Sequence, residues 1–359
     1  MKKRYVTLLS LVCLLMFSMQ VGFAAETPAK LPNVKILATG GTIAGSGASS
    51  TTTVGYTAAV FPVDALINGV PELKQVANVS GEQISQIASE NMTNQVWLKL
   101  AKRVNELLAS DDVDGIVVTH GTDTIEETAY FLNLVVKSNK PVVIVGAMRP
   151  PTAMSADGAM NLYNSVILAG SKEARGKGVM VCMNDAINGA REVTKTNTAL
   201  LDTFRAPELG YLGYMQAGKA HFYKESTRKH TTKSEFDVRN LTDLPQVDIV
   251  YEHANVSRVA VDAFVAAGAK GIVCAGVGDG SLANPVKDAL VDAQKQGIAI
   301  VRSSRTGNGI VARNGEANDD ALHFSASDTL NPQKARILLM LALTKTNDPA
   351  EIQRIFWEY

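Results

Sequence analysis

Apolar residues along this chain come in short runs separated by amphipathic stretches. NVKILAT at 33–39, GIVVTH at 115–120, PVVIVGA at 141–147 and GVMVCMN at 178–184 have the length and aliphatic content of strands. Between them, Trp97, Leu100, Val104, Leu107 and Leu108 recur at spacings of three and four, and 124–136 likewise reads as a helix. Strand and helix in alternation predict a parallel sheet with helices between its strands.

The pattern breaks in a polar stretch, YKESTRKHTTKSEFD, within 217–244, which reads as a linker or long surface connection. It then resumes with VDIVYEH at 247–253, a helix around 258–267, GIVCAGV at 271–277, a helix around 285–296 and IAIVRSS at 298–304. Two closing helices follow, at 332–344 and 349–356. The predicted fold class is α/β in two domains: a larger N-terminal parallel-type sheet with flanking helices over 31–217, a linker over 218–244, and a smaller α/β domain over 245–359. The chain carries no internal repeat and no low-complexity tract.

Composition narrows the picture. A chain of 359 residues with 46% hydrophobic side chains can bury a core in each of two domains. Lys plus Arg and Asp plus Glu are both 35, so no basic field exists to hold a phosphate backbone, and nucleic acid is not an expected partner. The N-terminus runs from Lys2, Lys3 and Arg4 through apolar Leu8 to Met16 to small residues at Gly22, Ala24 and Ala25, the plan of a secretory signal. A membrane anchor needs about 20 apolar residues, and this stretch is broken by Ser18 and Gln20. The expectation is a signal peptide over 1–24, a periplasmic mature protein and no membrane partner after cleavage. Cys13 lies inside the apolar stretch behind Val12, so it does not read as a lipid-attachment site. Cys182 and Cys274 each sit in a strand-like run and are expected as small core residues, not as a disulfide pair.

In open parallel sheets ligands gather outside the carboxyl ends of strands, so the strand exits are where chemistry is sought. Three stand out: Thr39-Gly40-Gly41-Thr42-Ile43-Ala44-Gly45, Thr119-His120-Gly121-Thr122-Asp123-Thr124 and Gly146-Ala147-Met148-Arg149-Pro150. The two glycines before Thr42 permit close backbone approach to a ligand and present Thr42 on a flexible turn. The frame is neither GxGxxG nor a phosphate loop ending in GK[ST]. Thr122 and Asp123 stand at a helix start, where plain capping is the ordinary reading of Asp123. Their company favours chemistry: a second hydroxyl at another exit, and Lys195 in REVTKTNT. A threonine hydroxyl needs a base or neighbouring amine before it attacks, and Lys195 beside Thr122 would supply one.

Five segments in order, LPNVKILATGGTIAG, VVTHGTDTIEETAYFL, VGAMRPPTAMSADG, NDAINGAREVTKTNT and TLNPQKARILLMLALT, resemble bacterial type II L-asparaginases and glutaminase-asparaginases over Leu31 to Tyr359. The resemblance implies a homotetrameric amidohydrolase that converts L-asparagine to L-aspartate and ammonia, with glutaminase activity, through a threonine acyl-enzyme. It implies Thr42 as the attacking group and Tyr56 as the tyrosine of a closing loop. Thr122, Asp123 and Lys195 match the second catalytic constellation. Asp123 and Glu90 match groups that take the substrate ammonium, Ser89 one that holds its α-carboxylate, and Ala147 a carbonyl facing the leaving ammonia. Glu316 matches an acid lent by a neighbouring subunit. Glu90 stands where some relatives have glutamine, and glutamate there resembles members with more glutaminase activity. Asp279 stands where many have asparagine. Tyr56, a water, or the Thr122–Lys195 pair all remain tenable as the group that deprotonates Thr42.

The rival reading is a periplasmic amino-acid binding protein that uses Asp123 and Ser89 without catalysis. A GxSxG elbow, an HExxH or a CxxC is absent, and His120, His221, His230, His253 and His323 are scattered. No metal or organic cofactor is expected, and His120 reads as a packing or supporting residue beside Thr122.

Overall fold

The computed structural model describes residues 30–359. The expected signal peptide, 1–24, lies outside the described residues. The first part of the chain contains strands β1 (Asn33–Gly40), β2 (Asn78–Ile87), β3 (Gly115–Thr119), β4 (Val142–Val145) and β5 (Val179–Met183). It continues with β6 (Ala186–Gly189), β7 (Thr194–Lys195), β8 (Phe204–Arg205), β9 (Gly213–Gln216) and β10 (Lys219–Phe222). Its helices are α1 (Val63–Asn68), α2 (Leu73–Val76), α3 (Asn94–Leu108), α4 (Ile125–Val135) and α5 (Gly158–Gly170). The second part has β11 (Val247–Tyr251), β12 (Gly271–Gly276), β13 (Ala299–Ser304) and β14 (Ser325–Ala326). Its helices are α6 (Val259–Ala266), α7 (Asn284–Lys295), α8 (Asp319–Leu322), α9 (Pro332–Ala342) and α10 (Pro349–Glu358).

Among the described residues, the first part forms an eight-stranded sheet ordered β10-β9-β6-β5-β4-β3-β1-β2. It is parallel from β5 to β2, as the alternating pattern predicts, and antiparallel from β5 through β6 and β9 to β10. Strand residues divide between the two faces with period two. Ile116 and Val118 of β3 join the cluster around α3 and α4, whereas Val117 joins the one under α5. Val142 and Ile144 of β4 part from Val143 and Val145 in the same way. The second part is a four-stranded parallel sheet ordered β11-β12-β13-β14.

The segment read as a linker, 218–244, opens with β10, an edge strand of the larger sheet. After it, Phe236, Val238 and Leu244 are buried in the same core cluster as α3 and α4. The polar composition hid these three anchors, so the crossing between the sheets is a packed segment. Cys182 and Cys274 are buried free thiols in different core clusters, as their setting predicts. Burial pushes the Cys182 thiol up to about 12 and raises Cys274 as well, so neither is a reactive thiolate. Among the described residues, no helix is long and apolar enough to cross a membrane.

Candidate active site

Three strand exits converge because their backbones touch. Gly41 has φ 81°, and a Cβ built there would lie 2.2 Å from Gly121 Cα. A Cβ on Gly121 would in turn lie 2.6 Å from Ser89 Oγ. The loops after β1, β2 and β3 therefore meet at a point that admits no side chain at either glycine. The Gly-Gly pair packs its backbone closely against these neighbouring loops.

Thr42 follows in a short 3₁₀ turn, Thr42–Ala44, and is buried. The chain turns back at once, through Gly45 N–H to Thr42 O at 2.8 Å. The segment beyond it returns through the paired backbones of Ser46 and Thr57, and Ala59 N–H donates to Gly41 O at 3.0 Å. That return brings Tyr56, half-buried, to Thr42, with the two hydroxyl oxygens 2.6 Å apart.

At the β3 exit Thr122 is buried, while the Asp123 carboxylate is exposed. Lys195 Nζ, projecting from β7, donates to Thr122 Oγ1 at 3.0 Å and pairs with Asp123 Oδ1 at 2.6 Å. Helix α4 starts from Thr124 with no side-chain cap, so the capping reading of Asp123 fails. Ser89 joins this loop to the β2 exit. Its Oγ accepts from Asp123 N–H at 3.2 Å, and its carbonyl accepts from Thr124 Oγ1 at 2.8 Å. Glu90, next to it, is exposed.

His120 is fully buried beneath the same loop. Trp97 Nε1 donates to Thr128 Oγ1 at 2.8 Å, and that hydroxyl lies 2.8 Å from His120 Nε2. His120 Nδ1 lies 2.7 Å from Gly121 O. A carbonyl only accepts, so Nδ1 carries the proton, Nε2 accepts, and Thr128 donates. Burial pushes the imidazole down to about 4, which fits one neutral tautomer clamping the loop.

Ala147, at the β4 exit, is buried. Its loop is fixed by Asp157, whose carboxylate accepts from Met148 N–H and Arg149 N–H at 2.9 Å each, and by Asn161, whose amide donates to Gly146 O at 3.1 Å. Asp157 lies in the motif segment VGAMRPPTAMSADG but is not among the residues to which the sequence assigned a role. An aspartate ahead of an apolar helix was the available signal.

Asp279 and Glu316 lie together elsewhere, on loops at the carboxyl ends of β12 and β13. Asp279 Oδ1 accepts from Ala312 N–H at 2.9 Å, so part of that carboxylate holds the loop leading to exposed Glu316. Buried Arg302 organises both loops. Its five N–H bonds go to Asp319 Oδ1 and Oδ2 at 2.6 and 2.7 Å, Ala312 O at 2.9 Å, Gly280 O at 3.0 Å and Asp279 O at 3.3 Å. Among the described residues, no three His, Cys, Asp or Glu side chains are grouped to hold a metal ion.

Two family models match the chain: asparaginase, N-terminal, over residues 33–228, and glutaminase/asparaginase C-terminal domain, over 246–356. The chain is 59% identical to L-asparaginase 2 of Bacillus subtilis, over 94% of this chain and 89% of that protein. It is 55% identical to glutaminase-asparaginase of Pseudomonas fluorescens biotype A, over 93% of this chain and 92% of that protein. It is 50% identical to the probable periplasmic L-asparaginase of Haemophilus influenzae, over 94% of this chain and 96% of that protein.

Proposed function

The chain belongs to the asparaginase family, and from that premise we propose how it works as an amidohydrolase on L-asparagine and L-glutamine. The observation that carries the reading is the 2.6 Å contact between Thr42 and Tyr56, in a site where the second hydroxyl, Thr122, has its own amine. Thr42 Oγ attacks the side-chain amide carbon. Its proton passes to Tyr56, whose own proton goes to the departing nitrogen, so the C–N bond breaks and ammonia leaves neutral. Backbone N–H groups near Thr122 hold the oxyanion. Water then splits the acyl-threonine ester, with Thr122, Lys195 and Asp123 supporting proton movement on that side.

Asp123 and Glu90 take the substrate ammonium, Ser89 with main-chain N–H groups takes the α-carboxylate, and the Ala147 carbonyl faces the leaving ammonia. Glu316, which is exposed, and Asp279, which is half-buried and holds the loop leading to it, serve the site of a neighbouring copy in a homotetramer. The mature protein is periplasmic after loss of 1–24, and the domains meet at 218–244. The reading as a binding protein without chemistry is set aside by family membership. Purified protein incubated with each amide should release ammonia from both. Tight binding of asparagine with no ammonia would overturn the assignment.

A further inference from the structure

Helix α9 packs on α4 of the first part and on β11, β12 and β13 of the second. Its first turn carries Asn331, Pro332, Gln333 and Lys334 from the last of the five motif segments, to which the reaction gives no work. Each of the three polar side chains in that turn reaches into the first part of the chain. Asn331 Nδ2 and Gln333 Nε2 donate to Glu126 Oε2 and Oε1 at 3.3 and 2.9 Å. Glu126 is buried in the first turn of α4, three residues after Asp123. Lys334 Nζ donates to Arg191 O at 2.7 Å and also to Val193 O, the carbonyls just ahead of β7, whose second residue is Lys195. Asn331 Oδ1 meanwhile accepts from Lys334 N–H at 3.1 Å, which locks the turn that holds both grips.

We propose that this turn of α9 is a spacer that sets Lys195 against Thr122 and Asp123, with Gln333 and Lys334 as positioning residues for the reaction. The proposal rests on the reading of those three residues given above. A plain core role does not account for Lys334. It is 2% exposed on a mostly apolar helix, where a hydrocarbon side chain avoids the cost of burying an amine. What an amine adds is two bonds to carbonyls two residues apart, which fix the path of the chain just ahead of β7. The charged groups around it are Glu126 and Glu127 on α4, and Arg191 and Glu192 ahead of β7. Burial pushes Lys334 down to about 8. An unprotonated amine keeps two N–H donors, so both carbonyl bonds survive loss of the charge.

Lys334→Met and Gln333→Leu, made in the full chain, test the spacer. Each should lower kcat by about tenfold with KM held within about twofold, since misplacement of an anchored group costs turnover more than binding. On a Lys195→Met background the further loss from Lys334→Met should vanish, because the group being positioned is already gone. A folded Lys334→Met protein with normal kcat, or the same fold-loss with and without Lys195, would overturn the proposal. If Lys334→Met does not fold, Gln333→Leu decides by the same two measures. Should Lys195→Met itself release ammonia normally, it is the catalytic reading that fails, and a crystal structure of Gln333→Leu then decides the spacer. An Nζ to Thr122 Oγ1 distance beyond about 3.5 Å supports it, and an unchanged distance overturns it.

Discussion

Thr42 Oγ1 and Tyr56 OH stand 2.6 Å apart, whereas the Lys195 amine spends its contacts on Thr122 and Asp123. The two threonines are therefore served by different partners, and of the three groups tenable as the base for Thr42, Tyr56 has the direct contact. Tyr56→Phe should lower kcat by about 100-fold, and Thr42→Ala should remove nearly all turnover while still binding asparagine. Ammonia release and calorimetric binding measure the two effects. Near-normal turnover in either variant would end that assignment.

Thr122→Val and Lys195→Met each break the 3.0 Å contact between a hydroxyl and its amine. Both should cut kcat strongly, and the double variant should be little slower than the worse single one, because groups that act as a unit fail together. Losses that multiply would mean that the two act independently.

The apolar runs located β1, β3, β4, β5, β11, β12 and β13 because strands covered on both faces are continuously hydrophobic. Among the first-domain elements that the apolar runs did not mark, β2 and α5 escaped for clear physical reasons. β2 is an edge strand paired only with β1, so NVSGEQISQI needs few apolar positions. Helix α5 buries Asn161, Asn164 and Ser165 beside its aliphatic residues, which blurs the helical period. At the site, the residue types at the strand exits were legible from the sequence. The pairing of Lys195 with Thr122 across 73 positions was expected from their residue types and the resemblance, but the hold of Lys334 on the Arg191 carbonyl, 143 positions away, was not. Such contacts depend on how sheets and helices pack, which local pattern does not encode.

Glu127 is largely buried beside Glu126, with Arg336 Nη1 3.9 Å away, and burial raises its carboxyl to about 7 despite that guanidinium. A carboxyl raised on folding contributes stability that is full below its unfolded value of 4.5 and is lost as pH climbs through about 7. Glu127→Gln imitates the protonated form. It should leave stability at pH 4 nearly unchanged and raise it at pH 8 by roughly 1–3 kcal/mol. Arg336 keeps its bond to Val247 O in either case. Thermal melts of both proteins at the two pH values check this, and an equal shift at both would contradict it.

Glu90 bears on the choice between the two amides. It sits in the 3₁₀ turn Ser89–Asn91, exposed, next to the serine that ties this turn to Asp123 and Thr124. A carboxylate there attracts the ammonium of asparagine and of glutamine alike, so charge does not separate them. Geometry must, and one methylene is worth only about 1–3 kcal/mol of discrimination. Ser89 is fixed by two bonds and buried, so under the proposed roles the carboxylate end of the substrate has a rigid seat and the adjustable contact is the exposed Glu90. The longer substrate has more freedom between that seat and Thr42, and it depends more on its ammonium anchor to reach the reactive pose. Glu90→Gln should therefore lower glutaminase kcat/KM more than asparaginase kcat/KM, shifting the ratio toward asparagine by about 3- to 30-fold. Parallel steady-state kinetics on the two amides read the ratio directly, and one that is unchanged or moves toward glutamine would remove Glu90 from the selectivity of this enzyme.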